Sequence, residues 1–190
     1  MLTTRTVDID RLKRKEDVRG LLKALSPKHD LETRRQAAGG LRWLGLGEHK
    51  VETTLRNLQD DPQTPEALRG VVHTSLAVHD FVARALAGKA ANCTLPINEI
   101  HRMYHALALP LRKRFNGSSR MAIDYIDDHL SAACLTCGHR YTGTRLTDIG
   151  SMQEKGAKVV FTGHGNGNRM MMGMCEVDNC FGMELCLNWN

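Results

Sequence analysis

Aromatic residues are scarce in this chain: Phe, Trp and Tyr together make 5% of its 190 residues. A core must therefore come from aliphatic side chains, which the 42% hydrophobic fraction supplies. Long apolar runs are missing too. None approaches the ~20 residues a membrane-spanning helix needs, and Met1–Asp10 lacks the apolar stretch of a secretory leader. These absences point to a soluble, cytoplasmic chain of one domain, or of a larger and a smaller one. Catalytic signatures are absent as well: no dinucleotide fingerprint, no Ser/His/Asp arrangement and no paired carboxylates of the acid/base kind. Asp124, Asp127 and Asp128 read as ordinary helix-surface acids. His101 and His105 stand at i, i+4, but Arg102 occupies the place where H-E-x-x-H carries its glutamate base. The expectation is a protein that is not an enzyme.

Charge is uneven. Residues 1–133 hold 21 Lys/Arg against 16 Asp/Glu, and residues 134–190 hold five of each, so the net +5 belongs to the first part. The basic runs are Arg11, Lys13, Arg14 and Lys15; Arg34 and Arg35; and Arg112, Lys113 and Arg114. A solvated face is the plain reading of such runs. The sharper reading makes the first and third runs phosphate contacts, with a salt-dependent affinity for nucleic acid.

The first 133 residues carry helical periodicity. Val18, Leu21, Leu22 and Leu25 follow i, i+3, i+4, i+7 and form one stripe, which Ser26-Pro27 ends. Asp30 offers an N-cap to a second helix whose inner face is Ala37, Ala38, Leu41 and Leu44, with Gly45 and Gly47 as stops. The pattern then recurs. Val18, Leu22 and Leu25 return 33 residues later as Val51, Leu55 and Leu58; Arg35, Ala37 and Ala38 return 34 residues later as Arg69, Val71 and Val72. The second inner helix opens on Thr64-Pro65-Glu66 and runs to Gly88. Two helices per unit at a period in the low thirties predict an α-solenoid. Residues 96–133 read as a third, diverged pair: Ile100, Met103, Tyr104 and Leu107 in one helix that Pro110 breaks or kinks, then an Asn116-Gly117 turn, a Ser118 or Ser119 cap, and Ala122, Ile123, Ile126 and Leu130 on the last inner face.

Residues 10–25, followed by Glu32–Leu41, resemble a HEAT-type repeat of the short kind found in many prokaryotic proteins. In that kind a similar Leu-Lys-x-Lys lead-in precedes the first helix. The likeness is good over residues 10–47, fair over 48–88, and fades beyond. It implies a curved scaffold that binds proteins or nucleic acid, with the arginines that open the inner helix, here Arg34 and Arg35, bridging to neighbouring repeats.

From Cys134 the pattern changes. Glycine becomes frequent and short β-prone runs appear at 140–144, 159–162 and 169–174, with Gly163–Asn168 as a hairpin tip and 181–189 as a closing strand. Met170, Met171, Met172 and Met174 read as packing residues, and Cys93 likewise. Cys134 and Cys137 stand as C-x2-C followed by Gly138, and Cys175 and Cys180 as C-x4-C. Two thiol pairs on two turns are what a tetrahedral ion needs, and four thiolates leave it no open position for chemistry. Cys134–Tyr141 resembles the first knuckle of a zinc ribbon. The C-x4-C and the 37 residues between Cys137 and Cys175 depart from that pattern, so Cys186, His139 and His164 compete with Cys180 as the fourth ligand. The knuckle also resembles half of a rubredoxin iron site, but the second C-x2-C-Gly is absent, which favours zinc in a structural role.

The sequence therefore predicts a mainly α chain: a HEAT-like solenoid of about three helix pairs at 1–133 and a small β-rich zinc-ribbon-like domain at 134–190. Its expected function is that of a cytoplasmic scaffold for a macromolecule, nucleic acid or a nucleoprotein particle before a protein partner in an adaptor or accessory-subunit role, and away from membranes.

Overall fold

A computed structural model describes residues 7–143, 146, 175, 180 and 182–190. The expected strands at 159–162 and 169–174, the hairpin tip at 163–168 with His164, and the four methionines lie outside the described residues. Among the described residues the chain is mainly helical with one four-stranded antiparallel sheet. It divides into two compact units, Met1–Asp80 and Phe81–Asn190, the division falling inside a long helix.

In the first unit, α1 (Ile9–Arg14), α2 (Val18–Ala24) and α3 (Leu31–Leu44) each start on an aspartate. The carboxylates of Asp8, Asp17 and Asp30 accept the backbone N–H of Arg11, Gly20 and Thr33, each at 2.8 Å. Each such cap holds about 1 kcal/mol. Helix α1 was expected only as a lead-in; six residues give too little periodicity to reveal it. Next come α4 (His49–Asp60) and α5 (Glu66–Leu86), which closes on Gly88 at φ +66°. The expected start, Thr64-Pro65-Glu66, is in place, but the buried Thr64 hydroxyl makes no hydrogen bond, so it caps nothing. Ile9, Leu21, Ala24, Leu25, Ala37, Ala38, Leu41, Val51, Leu55, Leu68 and Val72 form one core.

Two polar devices tie these helices. Arg34 Nε donates to the carbonyl of Leu25, the residue that ends α2, at 3.0 Å. Arg69 repeats the arrangement one helix pair later: its Nη2 donates to the carbonyl of Asp61, the residue that ends α4, at 3.2 Å, and to that of Thr64 at 2.9 Å. Arg35, expected to bridge repeats, pairs with Glu32 on its own helix instead. The second device links α5 to α3. Ser75 Oγ donates toward the Ala38 carbonyl at 3.1 Å, and His79 Nε2 lies 3.1 Å from the Leu41 carbonyl, so that nitrogen carries the proton. Ala37 and Ala38, both fully buried, permit this approach.

The second unit holds β1 (Ala91–Pro96), a 3-10 turn (Ile97–Glu99), α6 (Ile100–Arg114), α7 (Ser119–His129), β2 (Leu130–Cys134), β3 (Arg140–Thr142) and β4 (Glu184–Trp189). Of the expected break or kink at Pro110, the break does not occur: α6 continues through it. Ile100, Met103, Tyr104, Leu107 and Leu111 are buried along one side across it, and their packing outweighs the lost backbone bond, about 3 kcal/mol. The Ser118 hydroxyl caps α7 by accepting the Met121 N–H. Leu130, expected on a helical face, begins β2. The greater difference is β1, a strand between the helix expected to run to Gly88 and the pair expected at 96–133, where no strand was expected. Strand order is β1-β4-β2-β3.

Period-two alternation gives the sheet one buried face. Leu95, Leu185 and Cys134 form one cross-strand row on it; Cys93, Leu187, Ala132 and Tyr141 form the next. The first row ends on a thiol, and that places the site.

A four-thiol candidate metal centre

Cys134 is the last residue of β2, and the turn that follows it carries Cys137 into β3. The turn is closed by the backbone: Gly138 N–H donates to the Cys134 carbonyl and Cys134 N–H to the His139 carbonyl, both at 2.8 Å. Gly138 takes φ +74°, a left-handed conformation that glycine adopts without strain. On the other side, Cys175 N–H donates to the Gly182 carbonyl at 2.8 Å, and Leu135 N–H to that of Glu184 at 3.1 Å. Cys175 and the start of β4 are thus tied by backbone bonds, the latter to the first turn.

The result is a cluster. The sulfurs of Cys134, Cys137, Cys175 and Cys180 all lie within 4.8 Å of one another. Cys134 Sγ is 3.8 Å from Cys180 Sγ, and Cys137 Sγ is 3.5 Å from Cys175 Sγ. A disulfide bond measures about 2.05 Å, and all six cysteines are free. With metal–sulfur bonds of about 2.3 Å, a tetrahedron has an edge of about 3.8 Å. The four sulfurs therefore fit a tetrahedral ion. Cys134, Cys175 and Cys180 are buried and Cys137 is exposed.

Proton affinities agree with a site made for a cation. Burial works against ionisation of Cys134, yet hydrogen bonds from the Cys137 and Thr136 N–H groups and the neighbouring thiols draw its pKa down to about 7. At Cys137 the His139 N–H lowers the pKa, but desolvation and the Cys180 and Cys134 sulfurs outweigh it and the net shift is upward. At Cys180 the Gly182 N–H lowers the pKa, and desolvation with Cys134 and Cys175 again prevails upward. One thiol ionises readily and its neighbours then resist, because thiolates packed this closely repel unless a positive ion lies among them.

Two groups support the thiols, one inside the stretch that resembles a zinc-ribbon knuckle and one that escaped the sequence reading. Tyr141, on the buried face of β3, sets its hydroxyl 3.0 Å from Cys175 Sγ. Gly182 is the tighter constraint: a Cβ there would lie 2.5 Å from Cys134 Sγ and 2.8 Å from Thr136 Oγ1. A weak signal was present: Gly182 stands two residues after Cys180, whereas Gly138 directly follows Cys137.

Of the competing ligands, Cys186 and His139 are elsewhere, and His164 lies outside the described residues. Cys186 pairs with Ala133 and Thr94 in β4, one residue out of phase with Leu185, so it faces away from the side that carries Cys134. The His139 ring packs edge-on against Tyr141 at 4.7 Å between centroids. Cys93 is buried in β1. His101 and His105 belong to no cluster of ligands among the described residues. Of the basic positions, Arg11, Arg14 and Lys15 are exposed and Lys13 is half-buried beside Asp10 in the first unit. Arg112, Lys113 and Arg114 are exposed in the second, with the Arg114 guanidinium 5.1 Å from the Tyr125 ring centre. No helix among the described residues is long and apolar enough to cross a membrane.

Comparison with protein-family models, with curated proteins and with solved structures gave no match.

Proposed function

We propose that this chain is a non-enzymatic cytoplasmic scaffold that binds nucleic acid or a nucleoprotein particle, with a structural zinc ion holding a ribbon-like module in shape. The observation that carries the reading is the closed set of four sulfurs at tetrahedral spacing. Four thiolates fill the coordination of zinc and leave no position for water or substrate, so the ion would act as a clamp rather than a catalyst. The β2–β3 hairpin with a C-x2-C knuckle, and β4 following the second thiol pair, support the zinc-ribbon likeness. The repeated arginine, bonding the end of the preceding helix at Leu25 and again at Asp61, supports the HEAT-like likeness.

The nucleic-acid preference rests on two groups of cations: exposed Arg11, Arg14 and Lys15 with half-buried Lys13 in α1 and the turn after it, and exposed Arg112, Lys113 and Arg114 at the end of α6. Phosphate contacts of this kind release counterions, so affinity falls steeply with salt. Fluorescence anisotropy with generic DNA and RNA at 50 and 200 mM salt tests this. Binding at low salt that weakens at high salt supports the reading; no binding at low salt removes it.

A second reading, a protein–protein adaptor or accessory subunit, is favoured by one observation. Leu135 in the knuckle is 54% exposed and Met183 51% exposed, and both line a groove of about 330 Å³ with Pro96, Thr136 and Glu184. An apolar patch there suits a protein surface.

A further inference from the structure

The turn between α6 and α7 forms an open groove of about 720 Å³, lined by Leu109, Pro110, Arg112, Lys113, Asn116 and Gly117. That volume lies within the roughly 300–1,000 Å³ range of small-ligand sites. Its chemistry is mixed in an unusual way. Residues 100–123 carry five Lys/Arg and not one Asp or Glu. Arg112 and Lys113 are exposed and enter no ion pair among the described residues, and Arg112 is steadied by its Nε, 3.4 Å from the Gly117 carbonyl. Beside these cations Leu109 is 56% exposed, next to the flat ring of Pro110. Asn116 and Gly117 complete the lining. They take φ +50° and +85°, and nothing lies within 4 Å of where a Gly117 Cβ would stand.

We propose that this groove docks single-stranded nucleic acid, its phosphates on Arg112 and Lys113 and an unstacked base against Leu109 and Pro110. The inference rests on the nucleic-acid reading above and gives it an address and a strand type. A duplex offers the surface its phosphates and keeps its base faces stacked inside, so it would leave the Leu109–Pro110 floor unused. A single strand alternates an anion and a flat apolar face at every nucleotide, which is the alternation the groove presents. Asn116, whose amide offers donors and an acceptor, also lines the groove.

The test measures anisotropy of fluorescein-labelled oligo-dT, a mixed-sequence RNA strand and a 20-base-pair duplex with the full-length protein at 50 and 200 mM salt. Leu109→Ser is expected to weaken single-strand binding several-fold and leave duplex binding unchanged. Arg112→Glu combined with Lys113→Glu is expected to weaken single-strand binding at least tenfold at 50 mM salt. With two phosphate contacts gone, the loss between the two salt concentrations shrinks by roughly sevenfold, for a slope of about −0.7 per contact. Circular dichroism and metal content confirm that the variants, all at exposed positions, keep their fold. Four outcomes overturn the proposal: groove variants that bind as the wild type does, a duplex bound as tightly as the single strand, a Leu109→Ser loss shared equally by both, or displacement of oligo-dT by polyglutamate at equal charge, which would make the groove an acidic-peptide site. A wild-type protein that binds no nucleic acid at 50 mM salt removes the parent reading together with this one. Binding that persists in the groove variants but falls on reversing Arg11 and Arg14 removes this one alone.

Discussion

Leu21, Ala37, Ala38, Leu41, Val51 and Leu55 are wholly out of solvent in the first unit, whereas the end of the second unit's sheet gathers four thiols within 4.8 Å. The first arrangement gains its stability from area: each buried Leu or Val contributes about 1.5–3 kcal/mol. Its polar bonds, Arg34 to Leu25 and His79 to Leu41, fix how the helices meet. The second arrangement has little apolar area at its tip, where Leu135 and Met183 face solvent. Four thiols brought this close are a liability alone and an asset around an ion, because the ion turns their mutual repulsion into attraction. The comparison teaches where each region should fail: one by losing packing, the other by losing metal.

The largest effect should come from the metal. Structural zinc sites in small domains carry about 10–16 kcal/mol of apparent folding free energy. Chelation, or Cys134→Ser, is expected to abolish metal binding and the hydrogen-exchange protection of β2, β3 and β4 while α2 to α4 stay protected. Protection lost in both regions together would break the comparison. Next, Leu55→Ala should cost about 2–5 kcal/mol in denaturant unfolding through the cavity it leaves, with metal content unchanged. Gly182→Ala pushes a methyl group to 2.5 Å from Cys134 Sγ; competition with a chromophoric chelator should show metal affinity reduced well over tenfold. Tyr141→Phe removes one hydroxyl from Cys175 Sγ, and the same assay should show a loss of about tenfold, the lower end for groups that support ligands.

The smallest effect concerns pH. Burial holds the His79 pKa below its ordinary value of 6.5, against the raising influence of the Leu41 carbonyl and Glu52. The unfolded chain therefore takes up this proton first. The stability that neutral His79 lends is present in full above pH 6.5 and is lost as pH falls below that toward the folded value. Its Nδ1 is buried without a hydrogen bond, 3.9 Å from Glu52 Oε1, so a second proton there has no good partner. Urea unfolding at pH 7.5 and 5.5 should show a decline in the wild type that is shallower in His79→Gln. Equal declines would show that the His79–Leu41 contact does not matter to acid sensitivity.

Much of this was legible because its signals are local. The Asp30 cap, the Ala37-Ala38 close approach and the C-x2-C-Gly turn each sit within a few residues of what they determine. The failures were nonlocal. Ala91–Pro96 is a strand because Leu185 and Leu187, ninety or more residues on, pair with Leu95 and Cys93; nothing near Cys93 announces that partner. Leu130 fits a helical stripe or a strand face equally well, and β4 decides between them. The fourth ligand needed the same information. Cys180 and Cys186 are equivalent in type, and only the register of β4 against β2 turns Cys186 to the other face.

The central claim is the four-sulfur metal centre, and X-ray absorption on protein purified under reducing conditions tests it most directly. The account predicts about one zinc per chain with four sulfur neighbours at about 2.3 Å. Metal-free protein, or a first shell containing nitrogen or oxygen, would contradict it.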